Sequence, residues 1–66
     1  MQPSTDREHE IARRVDARAN ENNLPISAVA EISEAFPCRI TESEGEFLIH
    51  YIIWRREHPI GQEIQA

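Results

Sequence analysis

Three histidines and one cysteine are the residues of this chain whose side chains could bind a metal ion or act as a nucleophile. An expected strand end lies between His50 and His58, Pro59 follows His58, and no histidine lies four residues from a carboxylate within a predicted helix. Cys38 is the only cysteine, so an internal disulfide cannot form, and no cluster of cysteine and histidine has the spacing of a zinc site. The sequence therefore predicts no metal and no cofactor, and Cys38 is expected to be an inert thiol.

Carboxylates crowd the segment Glu42 to Glu46 around Gly45, where paired acids for general acid–base chemistry could be sought. The same pattern is typical of a solvated turn, and no nucleophile, base and orienting acid accompany it. With two glycines in the chain, there is no phosphate-binding loop. We predict that the chain is not an enzyme. Protonation of His50 within an apolar strand would be costly, which leaves a pH-dependent interface as an alternative.

Arginines form a ridge on the first predicted helix. At 100° per residue, Arg7, Arg14 and Arg18 fall with Ile11 within about 60° of the helix circumference. The ridge could bind nucleic-acid phosphates, or it could pair with acids such as Glu31 and Glu34. The net charge of −5 favours pairing with acids.

Two helices are predicted in the first half of the chain, after a frayed start at residues 1–4. Thr5 and Glu8 fit a capping box, and the spacing of apolar residues predicts a helix over 5–23, with Asn23 as its left-handed C-terminal residue. A second helix is predicted over 24–36. Pro25 suits its first position, and Pro37 ends it.

A β-hairpin is predicted over residues 38–56, followed by a tail at 57–66, so the expected fold is α+β with the order α-α-β-β in one domain. The second strand is apolar on both faces. A three-residue loop is favoured over a two-residue turn that would force Glu44 to positive φ. The helices can cover only one face of this strand, and the far end of the strand has no partner in the hairpin. The predicted protein interface consists of the residues left uncovered or unpaired: Phe47, Ile49, Tyr51, Ile53 and Trp54.

The small size of the chain predicts association. A core of 66 residues rarely supplies more than ~3–5 kcal/mol, and with one cysteine a second subunit is the expected stabiliser. The unpaired strand edge would be covered by the tail, or by the same strand of a twofold-related copy, which would extend the sheet across a homodimer. No leader or membrane-spanning segment is recognisable, and the lone thiol favours a cytoplasmic location.

Residues 6–36 resemble the helix pair of ribbon-helix-helix DNA-binding proteins. The matching residues are Val15-Asp16-Ala17, Ala19, Asn23 and Ser27-Ala28-Val29. The resemblance implies an obligate dimer built on two helices, with Ser27 near the start of the second. In that family a strand before the first helix reads DNA, and here Met1 to Thr5 are too short and too polar to form it. DNA reading therefore does not carry over.

Two functions remain open at this stage. The favoured one is a small non-enzymatic dimeric protein-binding module that acts as a regulator, adaptor or inhibitor, because the predicted strand is apolar on both faces, the core is small and no catalytic signature is present. Phage- or plasmid-encoded inhibitors of host proteins are often similar in size and charge. The alternative is a DNA-binding transcriptional regulator of ribbon-helix-helix-like or winged-helix type. A wing over 38–56 would place an acidic tip against phosphates, which is electrostatically unfavourable.

Overall fold

The computed structural model describes residues 2–21 and 24–60, and these residues form three α-helices. Helix α1 spans Asp6–Asn20, α2 spans Ala28–Glu34 and α3 spans Glu42–Glu57. The two long helices, α1 and α3, share the most extensive contact. The short α2 packs against both of them, so the core lies between all three.

The prediction of an α+β fold is wrong, because the described residues contain helices and no strand. The segment predicted as a hairpin, 38–56, contributes most of its length to α3. Gly45, which was predicted to make the turn, lies in the first helical turn of α3. The choice between two hairpin registers therefore has no meaning for this segment, and the prediction of a sheet extended across a dimer is wrong as well.

Helix α1 begins where the capping pattern predicts. The Thr5 side-chain oxygen accepts a hydrogen bond from the Glu8 amide at 3.1 Å. The Glu8 carboxylate, however, accepts from the backbone and hydroxyl of Ser4, at 2.8 and 2.9 Å. Ile11, Ala12 and Val15 form the buried stripe at spacings of three and four. The helix ends at Asn20, and the predicted role of Asn23 lies outside the described residues.

Helix α2 is shorter than the predicted 24–36. It begins at Ala28 after a turn in which the Ala28 amide donates to the carbonyl of Pro25 at 2.9 Å, so Pro25 precedes the helix. The Ser27 side chain makes no capping hydrogen bond. Phe36, just beyond the last helical residue, is buried and ends this segment of the core.

The core is small and is built from all three helices. Its buried hydrophobic residues are Ile11, Ala12, Val15, Ala28, Ile32, Phe36, Leu48, Tyr51 and Ile52. Glu57 is the last residue of α3, and residues 58–60 follow it, with the His58 amide donating to the carbonyl of Trp54 at 3.0 Å. The rest of the predicted tail, 61–66, lies outside the described residues. Among the helices that the structure describes, none has both the length and the apolar content needed to cross a membrane.

Candidate protein-binding face

The first turn of α3 is held by a complete capping box. The Thr41 side chain accepts from the Glu44 amide at 3.2 Å, and the Glu44 carboxylate accepts from the Thr41 amide at 2.8 Å. Glu42 and Glu44 lie near the positive end of the helix dipole, and Arg55 and Arg56 lie near the negative end. These local interactions favour a helix over the β-propensity of the apolar residues that follow.

One face of α3 packs into the core. Its buried residues are Leu48, Tyr51, Ile52 and Arg55, which follow the spacing i, i+3, i+4 and i+7 of a helix surface. Arg55 is the buried charged residue of the core, with a side chain that is 8% exposed. Its burial requires partners, because an isolated charge in an apolar interior is strongly unfavourable.

Asp16 of α1 supplies a partner for two of these side chains. The Tyr51 hydroxyl donates to the two Asp16 carboxylate oxygens at 3.1 and 3.2 Å, and Arg55 Nε donates to Oδ1 at 3.1 Å. Arg55 Nη1 also donates to the His58 carbonyl at 3.0 Å. The network joins α1 to the C-terminal half of α3 and stabilises their relative position.

Because of Tyr51, the stability of the protein should vary with pH in the alkaline range. Burial raises the pKa of its hydroxyl. Arg55 Nη2 donates a hydrogen bond to this hydroxyl at 3.3 Å, which opposes the rise in the pKa, and the charge of Asp16 adds to the rise. The unfolded chain loses the tyrosine proton at about pH 10 and the folded chain at higher pH. Stability is therefore fully present below about pH 10 and falls as pH rises above it.

We expect Tyr51→Phe to remove this alkaline loss of stability, as measured by urea unfolding at about pH 8 and about pH 11. Tyr51 is the only tyrosine, so tyrosinate absorbance reports its titration directly. The prediction fails if the absorbance of the native protein titrates as in the urea-unfolded chain.

A second face of α3 carries two half-buried aromatic side chains, Phe47 and Trp54, which stack on the buried Tyr51 and on the exposed His58 that follows the helix. The Phe47 and Tyr51 rings are stacked with centroids 5.5 Å apart, and the Trp54 and His58 rings are stacked at 4.8 Å. The Arg55 guanidinium lies 4.5 Å from the Trp54 ring centroid. These aromatic contacts extend the packing of the core along the side of the helix.

The third face of α3 is exposed, and we call it the isoleucine seam: Glu42, Glu46, Ile49, Ile53 and Arg56. Ile49 and Ile53 lie one turn apart and are 41% and 43% exposed. The five residues occupy about 80° of the helix circumference. The centre of the seam is aliphatic, its N-terminal end is acidic and its C-terminal end is basic.

The five residues predicted as a protein interface do not share one surface. Tyr51 is buried, and Phe47 and Trp54 pack against the core. Ile49 and Ile53 point away from the core and form the centre of the isoleucine seam. Side chains at every second position share one face of a strand, but in a helix they point in different directions. The residues that would alternate along a strand therefore lie on different faces of α3.

The arginine ridge of α1 lies against α2 and against Phe36, which follows α2. The guanidinium carbons of Arg7 and Arg14 are 5.2 and 4.5 Å from the Phe36 ring centroid. Arg18 forms an ion pair with Glu31 at 3.0 Å. Arg14 also lies 3.5 Å from Glu10. Duplex binding by these arginines would compete with contacts that join α1 to α2.

The residues with metal-binding or nucleophilic potential are scattered. His9, His50, His58 and Cys38 are exposed. In the part of the chain that the structure describes, no three histidine, cysteine or acidic side chains converge as metal ligands would. An open groove of about 300 Å³ lies between α1 and α2, but its charged residues include the paired Arg18 and Glu31.

Asp16 and Arg55 were not predicted as functional residues. Asp16 enters the sequence-based predictions only as part of the family-like segment, and Arg55 has no role in them. A helical projection of residues 42–57 would have placed Arg55 on the face of Leu48 and Tyr51. No protein-family model, curated protein or solved structure matches the chain.

Proposed function

We propose that this chain is a small non-enzymatic protein-binding module, acting as a regulator, adaptor or inhibitor, and that it binds through the isoleucine seam. The observation that carries the proposal is the exposure of Ile49 and Ile53 on adjacent turns of α3. Single exposed apolar residues are ordinary on protein surfaces. Two on adjacent turns form a continuous aliphatic ridge, which suits a groove or another helix.

The residues around Ile49 and Ile53 in the isoleucine seam support a specific contact. Charged Glu46 and Arg56 flank the two isoleucines, so the seam has an apolar centre and a polar rim, as protein interfaces do. The small core of this chain adds a reason for a partner, because association would supply further burial. Cys38, the single and exposed cysteine, is consistent with a reducing compartment such as the cytoplasm.

We expect Ile49→Glu to weaken association at least about tenfold, because it places a charge at the centre of an apolar contact. The measurement has two parts: the solution mass over a hundredfold range of concentration, and the capture of proteins from a cell lysate on the immobilised chain. Ile26→Glu is the matched control, since Ile26 is 52% exposed and precedes α2. Circular dichroism verifies that both variants remain helical.

Unchanged mass and unchanged capture for Ile49→Glu would exclude the seam as the binding surface. Equal losses for Ile49→Glu and Ile26→Glu would also contradict the proposal, because the effect would then follow surface charge and not position. Selective loss for Ile49→Glu is the supporting result.

A further inference from the structure

The residues of the isoleucine seam have the spacing of a helix that packs along another helix. From Glu42 to Arg56 the intervals are four, three, four and three residues, which is the alternation of coiled-coil contact positions. All five residues are exposed. The buried face of α3 is separate from this stripe, so a second helix can lie along the seam without disturbing the core.

The charges of the seam define the direction of that second helix. Glu42 and Glu46 lie on the N-terminal side of the isoleucines, and Arg56 lies on the C-terminal side. In a parallel pair of identical helices, Glu46 would face Glu46 of the partner subunit. In an antiparallel pair, the acidic end of each helix faces the basic end of the other, which is favourable.

We propose that the partner at the seam is a second copy of this chain, bound antiparallel about a twofold axis midway between Ile49 and Ile53. This inference rests on the proposed function of the seam. When Ile49 faces Ile53 of the partner subunit, Glu46 faces Arg56 of the partner subunit, because both lie three residues outside the isoleucines. One register therefore satisfies the apolar and the charged positions together, twice per dimer.

The interface also has space for the partner's side chains. Ile53, Arg56 and Glu57 line a depression of about 370 Å³ on the surface of α3. Ile49 of the partner subunit would lie against Ile53 at this depression. A single pair of helices buries less than the ~1,200 Å² that marks the lower end of standard interfaces. The dimer should therefore be concentration-dependent, with a Kd of roughly 10 µM to 1 mM.

Charge reversal tests the register. Glu46→Arg and Arg56→Glu each convert two attractive pairs per dimer into two repulsive ones, so each variant should raise the Kd for self-association about tenfold. An equimolar mixture of the two variants should form a heterodimer that is tighter than either homodimer, since every facing pair is again opposite in charge. The double variant should regain the wild-type Kd. Sedimentation equilibrium measures all four samples.

The controls match the change in charge without touching the seam. Arg13→Glu on α1 and Glu34→Arg at the end of α2 alter exposed residues, and they should leave self-association unchanged. Single seam variants with the wild-type Kd, or a mixture that forms no heterodimer, would overturn the antiparallel arrangement. A wild-type chain that stays monomeric at millimolar concentration would overturn self-association. If Ile49→Glu then still abolished capture of another protein, the proposed function would stand while this inference failed.

Discussion

Replacement of Leu48 by alanine is expected to remove most of the stability of the fold, so that a large fraction of the chains is unfolded at 25 °C. Leu48 is fully buried and belongs to the same cluster as Ile11, Val15 and Ile52. Truncation of a buried leucine costs about 2–5 kcal/mol, from lost burial and from the cavity that remains. That range is comparable to the ~3–5 kcal/mol that the core of so small a domain supplies.

Urea unfolding followed by far-ultraviolet circular dichroism measures this loss, and the fluorescence of Trp54, the only tryptophan, gives a second probe. Ile49→Ala is the matched control, because it truncates an exposed residue of the same helix and should cost less than about 1 kcal/mol. Leu48→Met keeps the volume and should cost less than about 1.5 kcal/mol. A Leu48→Ala variant that is as stable as Ile49→Ala would show that α3 does not bury this face.

Asp16→Ala is expected to destabilise the fold by about 2–3 kcal/mol. The substitution removes the carboxylate that accepts from Arg55 Nε and from the Tyr51 hydroxyl, which leaves a buried guanidinium less well compensated. The expected cost lies below that of breaking a fully buried pair, because the Asp16 side chain is 38% exposed and its charge is partly screened. The free energy of unfolding in urea at neutral pH is the measurement.

Two further experiments separate the contribution of the charge of Asp16 from that of its hydrogen bonds with Tyr51: the variant Asp16→Asn and a double-mutant cycle. Asp16→Asn keeps an acceptor for Tyr51 but removes the negative charge, so it should cost less than Asp16→Ala. Tyr51→Phe combined with Asp16→Ala should be less destabilising than the sum of the two single changes, because both remove the same hydrogen bonds. Strict additivity would mean that the Tyr51–Asp16 contact contributes no stability. Arg13→Ala, on the exposed surface of α1, controls for loss of a charged side chain.

The start and the buried stripe of α1 were predictable because local signals agree there. Thr5 provides a cap, and Ile11, Ala12 and Val15 are apolar with the helical period and no competing alternation. Nothing else in that segment favours a strand. When propensity, capping and periodicity all favour one structure, tertiary contacts rarely change it.

Helix α3 was not predicted because two periods fit the same residues. From Phe47 to Trp54 the residues are mostly apolar and β-branched or aromatic, so a two-sided strand and a helix buried on more than one side have similar patterns. Thr41 and Glu44 carry the same capping signature that was recognised at Thr5 and Glu8. Gly45 is a typical turn residue, and its signal for a hairpin conflicts with this capping signature.

The proposed binding face could be predicted only in part. Ile49 and Ile53 are exposed as expected, but Tyr51 is a core residue, because this segment is a helix and not the predicted strand. The pairing of Asp16 with Arg55 joins residues 39 positions apart and depends on how α1 crosses α3. Such long-range polar contacts are set by tertiary packing and have no local signature.

The brevity of α2 has a consequence for motion. Seven residues without a side-chain cap cannot sustain a helix alone, so this segment keeps its shape only while Ala28, Ile32 and Phe36 stay docked. It is therefore the element whose opening requires the least free energy, whereas the α1–α3 pair must separate for the whole chain to unfold. The backbone amides of α2 should exchange with solvent through fluctuations that leave the two long helices paired.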